Sequence, residues 1–150
     1  MAVRNPSLAA IRRASGGPSA EGMVRLMFVR DGGRIGLVQT PSELADGADQ
    51  FFALYLERMI TDVAAPGVVV AIHRIDGRPS HSDRRLWTML GERLAATSST
   101  LLDLVAVGPD RVWSAKRGGP LKPPRRRAPR AKKQSPRSAA RRSASRAAAR

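Results

Sequence analysis

Cysteine is absent from this 150-residue chain, which excludes disulfides, thiolate nucleophiles and Cys-ligated zinc. Histidine is nearly absent, with His73 and His81 the two imidazoles of the whole sequence. Aromatic residues make up 4%, and Trp87 and Trp113 read as core or partly buried rings before they read as base-stacking platforms. No apolar run approaches the roughly 20 residues that a membrane-spanning helix needs, and no secretory apolar segment is visible. The most telling absence is of acid. Residues 115–150 hold fourteen Lys/Arg and no Asp or Glu, whereas residues 1–114 hold thirteen Lys/Arg against twelve Asp/Glu. The net charge of +15 therefore belongs almost entirely to an appendage, and the body of the chain is close to neutral.

What is present divides the chain into three segments. Residues 1–22, with Arg4, Arg12 and Arg13 and no acid before Glu21, are expected to be a flexible N-terminal segment. Their composition is shared with organellar transit peptides, but the same Ala/Arg bias recurs along the chain and marks overall composition more than an address. Residues 23–114 are expected to form one α/β domain, and residues 115–150 a disordered tail.

Within the middle segment, Val24–Arg30 and Arg34–Val38 are apolar and β-prone, and the Asp31-Gly32-Gly33 between them is a hairpin signal because such residues tolerate positive φ. Thr40–Ala48 reads as a loop. From Gln50 to Ala64, Phe52, Tyr55, Leu56, Met59, Ile60 and Val63 recur at three- and four-residue steps, the mark of one buried helix face. Pro66-Gly67 ends that helix. Val68–Ile72 is a short β-branched run bounded by turn residues, the pattern of a central strand covered on both faces. After a loop over Arg74–His81, Ser80 or Ser82 can cap a second helix with Asp83 in its first turn, and Leu86, Met89, Leu90, Arg93 and Leu94 follow at helical spacing. Thr100–Val107 and Arg111–Ser114 return to strand character. The predicted order is β-β-α-β-α-β-β.

This order, together with Leu26-Met-Phe-Val-Arg-Asp-Gly-Gly-Arg-Ile35, Gly67-Val-Val-Val-Ala-Ile-His-Arg-Ile-Asp-Gly-Arg-Pro79 and Leu101-Leu-Asp-Leu-Val-Ala-Val-Gly108, resembles the JAB/MPN (JAMM) domain, in particular its bacterial RadC-like branch. The resemblance covers about residues 23–114 and rests on order, spacing and Gly77-x-Pro79. It implies a JAB-like single domain. In that family a catalytic zinc is held by two histidines one residue apart and a carboxylate on the following helix, leaving a fourth position for water. Anchored on Gly77, the resemblance puts the first histidine position on Ile72, the second on Arg74 and the carboxylate near Arg85, while Glu43 lies near the acid of the RadC-like branch. Ile72 has no lone pair to donate and two guanidinium groups repel a divalent ion, so the resemblance implies a degenerate, non-catalytic domain with no cofactor. The alternative is a zinc-dependent metallohydrolase with unorthodox ligands, in which His73 joins His81 and Asp83. Strand alternation, which turns His73 away from the side of Ile72, argues against it.

Lesser features have bland readings. Ser80 and Ser82 are explained by capping. Gly32-Gly33 is too short to cradle a phosphate. Arg84-Arg85 is a solvated face, or a contribution to an anion-binding patch.

The tail places Arg125, Arg126, Arg127, Arg130, Lys132, Lys133, Arg137, Arg141, Arg142, Arg146 and Arg150 among Pro, Ser and Ala. A cation every few residues can neutralise several phosphates at once and release their counterions without reading bases. The expected partner is nucleic acid bound without sequence preference, with DNA the expectation, although the charge run itself does not distinguish DNA from RNA. Membrane binding is disfavoured by the lack of bulky apolar residues among the charges. These features point to a cytoplasmic, nucleoid-associated protein, with a nucleoid- or ribosome-associated basic protein that merely carries the tail as a further alternative.

Overall fold

A computed structural model describes residues 3–16, 20–31, 35–39 and 49–123. Its elements are α1 (Leu8–Ala14), β1 (Val24–Val29), β2 (Ile35–Gln39), α2 (Asp49–Val63), β3 (Gly67–His73), α3 (His81–Leu94), β4 (Thr100–Val107), β5 (Val112–Ser114) and β6 (Gly119–Pro120). Among the described residues the fold is mixed α/β, one six-stranded sheet in the order β2-β1-β3-β4-β5-β6 with three helices. Among the described residues no helix is long and apolar enough to cross a membrane.

β3 lies inside the sheet, antiparallel to β1 and parallel to β4, and Val68–Ile72 is buried throughout, as a continuous β-branched run requires. Because successive side chains alternate, the sheet has two distinct cores. On one face Val24, Leu26, Phe28, Val68, Val70, Ile72 and Leu104 meet Phe52, Leu56 and Ile60 of α2 and Leu86, Leu90 and Leu94 of α3. On the other, Met27, Val29, Val69, Ala71, Leu102, Val105, Val107 and Val112 enclose Ile11 of α1. An irregularity in β4 between its pairings of Leu101 with Val68 and Asp103 with Val69 leaves Leu102 as an extra residue, which adds Leu102 to the second core.

The structure departs from the sequence reading at both ends of the domain. Residues 1–22, expected to be flexible, contain α1. Ser7 accepts a hydrogen bond from the backbone N–H of Ala10, and Ile11 is 2% exposed. A seven-residue helix is not stable alone; this one is held by burial of Ile11 and by Arg25 of β1, which donates to the Ser15 carbonyl at the helix C-terminus. The tail boundary at Ala115 falls inside a turn that leads into β6. Gly118 takes a positive φ of 65° there, Leu121 N–H donates to the Val112 carbonyl at 2.7 Å, and the Leu121 side chain packs on the second core. That single large hydrophobe anchors the strap. The expected Thr40–Ala48 loop lies outside the described residues. Tyr55, assigned by periodicity to the buried face of α2, is 38% exposed.

Candidate functional site

β3 ends at His73, and the next residue, Arg74, still pairs in the sheet through its N–H to the Val107 carbonyl. The chain then turns sharply. Gly77 N–H donates to the Arg74 carbonyl at 2.9 Å, and Gly77 sits at φ 63° with Gly108 packed backbone against backbone upon it. A side chain at position 77 collides with Arg111, so only glycine lets the loop close here. The Asp76 carboxylate accepts from the Arg78 N–H, completing the loop that delivers Ser80 to the start of α3.

Ser80 is the N-cap. Its hydroxyl accepts from Asp83 N–H at 3.1 Å, and the Asp83 carboxylate accepts from Ser80 N–H at 2.8 Å, a reciprocal capping box. The same carboxylate receives the Arg74 guanidinium through two bonds, Nε to Oδ2 at 2.9 Å and Nη2 to Oδ1 at 2.6 Å. The pair is enclosed, with side chains 12% and 3% exposed. Arg74 Nη1 also donates to Glu21 at 3.0 Å, Nη2 donates to the Ser80 hydroxyl, and the second Glu21 oxygen accepts from Ile75 N–H at 2.7 Å. The Asp83 bonds raise the Arg74 pKa further above its already high ordinary value, against the opposing effect of burial and with help from Glu21. The guanidinium is a permanent charge held by two carboxylates.

The sequence-derived site positions are distributed as follows. Ile72 is buried in the core shared with α2 and α3. Arg74 is the hub of the ion-pair cluster. Arg85 is exposed on α3, and the carboxylate that α3 turns towards position 74 is Asp83, two residues earlier. The position that the resemblance gives to a carboxylate, near Arg85, is held by a cation, and the acid that meets Arg74 is Asp83. The register of the helix is set by the cap at Ser80, which selects Asp83 as the inward acid. Glu43 lies outside the described residues, as do the tail cations Arg125 to Arg150. Arg84 lies over the Trp113 ring at 5.4 Å, so one face of that ring is covered.

The two histidines are not drawn into a shared site with Asp83. His73 borders a cleft of about 450 Å³ together with Arg12, Ile75 and Pro109, His81 is exposed at the first position of α3, and both oxygens of Asp83 are taken by Arg74. Among the described residues no group of three His, Cys, Asp or Glu side chains could hold a metal ion. The zinc of the JAB resemblance therefore does not fit these residues: one ligand position is an alkyl side chain in the core, the next is a cation, and the carboxylate is already neutralised.

Two members of the cluster had different visibility in the sequence. The sequence offers Ser80 or Ser82 as the cap with Asp83 in the first turn, and the structure selects Ser80 and closes the capping box with Asp83. Glu21 was not legible, because it falls in the segment assigned as flexible and meets Arg74 across 53 residues of chain. A second cleft of about 290 Å³ opens beside the cluster, bounded by Glu21, Ile75, Arg78 and Ser80. Set beside known proteins, the chain matches no family model, and no curated protein matches its sequence.

Proposed function

We propose that the chain is a RadC-like JAB/MPN-type protein whose metal site has given way to a buried ion pair, and that it works as a non-catalytic binding module that holds nucleic acid through its basic tail. The observation that carries the reading is the Arg74–Asp83 pair. At the loop-to-helix junction, where the resemblance implies a histidine and a carboxylate around a divalent ion, a guanidinium is bonded twice to the one inward carboxylate. A fixed internal cation supplies the charge neutralisation that a metal otherwise provides and leaves no open coordination position for water. The pair thus conserves the closure of the loop and gives up the hydrolytic chemistry.

The nucleic-acid part of the reading is supported by charge. Residues 124–150 hold eleven Lys/Arg and no acid, a density that binds phosphates by counterion release. DNA is the expected partner, bound without sequence preference. Two measurements test the proposal. Purified protein should carry no stoichiometric zinc, and chelators should leave its melting temperature unchanged; near-equimolar zinc that is lost with stability on substitution of His73 overturns the metal-free reading. Affinity for a duplex of arbitrary sequence should fall linearly with salt on a log–log plot and vanish when the chain is truncated after Pro123. A truncated body that binds as tightly as the full chain overturns the assignment to the tail.

A further inference from the structure

Among the described residues, the outward face of α2 carries an apolar stripe that stays open to solvent, with the Tyr55 ring resting at its margin on Phe52. Phe51 is 78% exposed, Leu54 41% and Tyr55 38%, three of the five exposed large hydrophobics among the described residues. They follow the three- and four-residue spacing of a helical face, and the next position on it is the exposed Arg58. The inward face of the same helix is already occupied by Phe52, Ala53, Leu56 and Ile60. Charged and small residues are what a solvated helix face ordinarily presents; three large side chains grouped over little more than one turn mark a contact surface.

We propose that this stripe pairs with the same stripe of a second copy, α2 against α2 in antiparallel register. The stripe is self-complementary, which is what a two-fold interface demands. A two-fold axis passing between Leu54 and Tyr55 sets Leu54 of each copy against Tyr55 of the other. The same register brings Phe51 of each copy to Arg58 of the other, so that a guanidinium closes over an aromatic face at both ends of the contact. One axis position satisfies all four residues on both helices, and the contact carries no like-charge opposition among them. The stripe lies on the side of α2 turned away from the sheet, apart from the Arg74–Asp83 cluster, and shares no residue with the basic tail.

The test uses the full chain, nuclease-treated and in high salt so that the tail does not bridge molecules through nucleic acid. Sedimentation velocity should show a concentration-dependent dimer. Leu54→Glu should raise its dissociation constant tenfold or more, the effect of a charge at an interface centre, while leaving the melt of the dilute, dissociated monomer unchanged because Leu54 lies outside the core; at dimer-forming concentrations the melt should fall with the lost association. Arg58→Glu should weaken it less. Since the chain has no cysteine, a single Tyr55→Cys substitution next to the axis should give a disulfide-linked dimer on oxidation, and Asp62→Cys, far from the axis, should not. A monomer at every concentration overturns the proposal, as does a dimer indifferent to Leu54→Glu or cross-linking at position 62 in place of 55. A monomer whose α2 amides are nonetheless protected from hydrogen exchange on the outward face assigns the stripe to another segment of the same chain, and this also overturns it.

Discussion

The two faces of the sheet are built by different means. One is covered by α2 and α3, helices of 15 and 14 residues, whose Phe, Leu and Ile side chains meet the apolar residues of β1, β3 and β4. The other is covered by a seven-residue helix and by the strap after β5, and it carries buried polar groups on the sheet itself. Arg25 lies opposite Ala71 and Asp103 opposite Val69, so both face this second layer. Each is buried and tied to one of the flanking segments, Arg25 to the Ser15 carbonyl after α1 and Asp103 to the Lys116 N–H and the Ser114 hydroxyl around the end of β5. The first face is held by side-chain burial contributed by long elements. The second relies on short segments whose order depends on hydrogen bonds to charged groups as much as on apolar contact.

The largest test of this contrast is Ile60→Asp. Ile60 is fully buried between α2 and the sheet, and an unpaired carboxylate there has no partner to satisfy it. The loss should exceed about 4 kcal/mol, enough to unfold a domain of this size, as read by circular dichroism and a flat thermal melt. Retention of wild-type stability would show that α2 is not what covers this face. Ile60 is also where sequence and structure agree most fully. Its burial is legible because a helix packed on a sheet imposes a period of 3.6 that no other constraint disturbs. Tyr55 follows the same period and is exposed, because the pattern specifies which residues share a face but not how wide the buried stripe is.

Second in size is the ion pair at the edge of the helical layer. Arg74→Met removes the cation and leaves Asp83 buried beside the loop, a loss of about 3–5 kcal/mol measurable by urea denaturation. Adding Asp83→Leu should restore most of it, leaving a deficit of about 1 kcal/mol from the broken capping box. A single variant as stable as the wild type removes the pair from the account of how the loop is held. Little of this cluster was legible. Arg74 and Asp83 are nine residues apart across a loop, where no periodicity links them, and the partner of a charged side chain is set by the turn at Gly77 and the cap at Ser80 acting together.

The strap face should yield to truncation and to crowding. Ending the chain after Ser114 removes Leu121 from the second core and leaves Asp103 without its Lys116 N–H donor, a cost of about 1–3 kcal/mol for the unsatisfied buried group. Ending it after Pro123 should leave the melting temperature unchanged. Equal stability of the two truncations shows that β6 contributes nothing. Gly67→Ala probes the same face where the N-terminal segment crosses it, since a Cβ there lies 2.8 Å from Leu102 and 2.9 Å from Val3; overpacking of this kind costs about 1–3 kcal/mol. The position of the domain boundary was illegible for a physical reason. A composition break records where acids stop, whereas burial of a hydrophobe decides which residues pack on the core, and Leu121 packs there six residues inside the basic segment.

The smallest effect has the opposite sign and belongs to the helical face. Gly91 lies in the last turn of α3, and a Cβ built on it meets nothing within 4 Å. Its φ is not among the positive values of the chain, so an alanine enters without backbone strain. Gly91→Ala therefore removes only the excess conformational freedom that glycine gives the unfolded chain and should stabilise the domain by about 0.5–1 kcal/mol, read as a rise of several degrees in the melting temperature. Gly67 and Gly91 both lie in regular elements, yet the one at position 67 is held small by the N-terminal residues folded over it, and the one at 91 is free to be replaced because α3 is already anchored by Leu86, Leu90 and Leu94. A loss of stability from Gly91→Ala would mean that the end of α3 is packed more closely than its surroundings indicate, and that the helical face depends on close approach at its margin as the strap face does at Gly67.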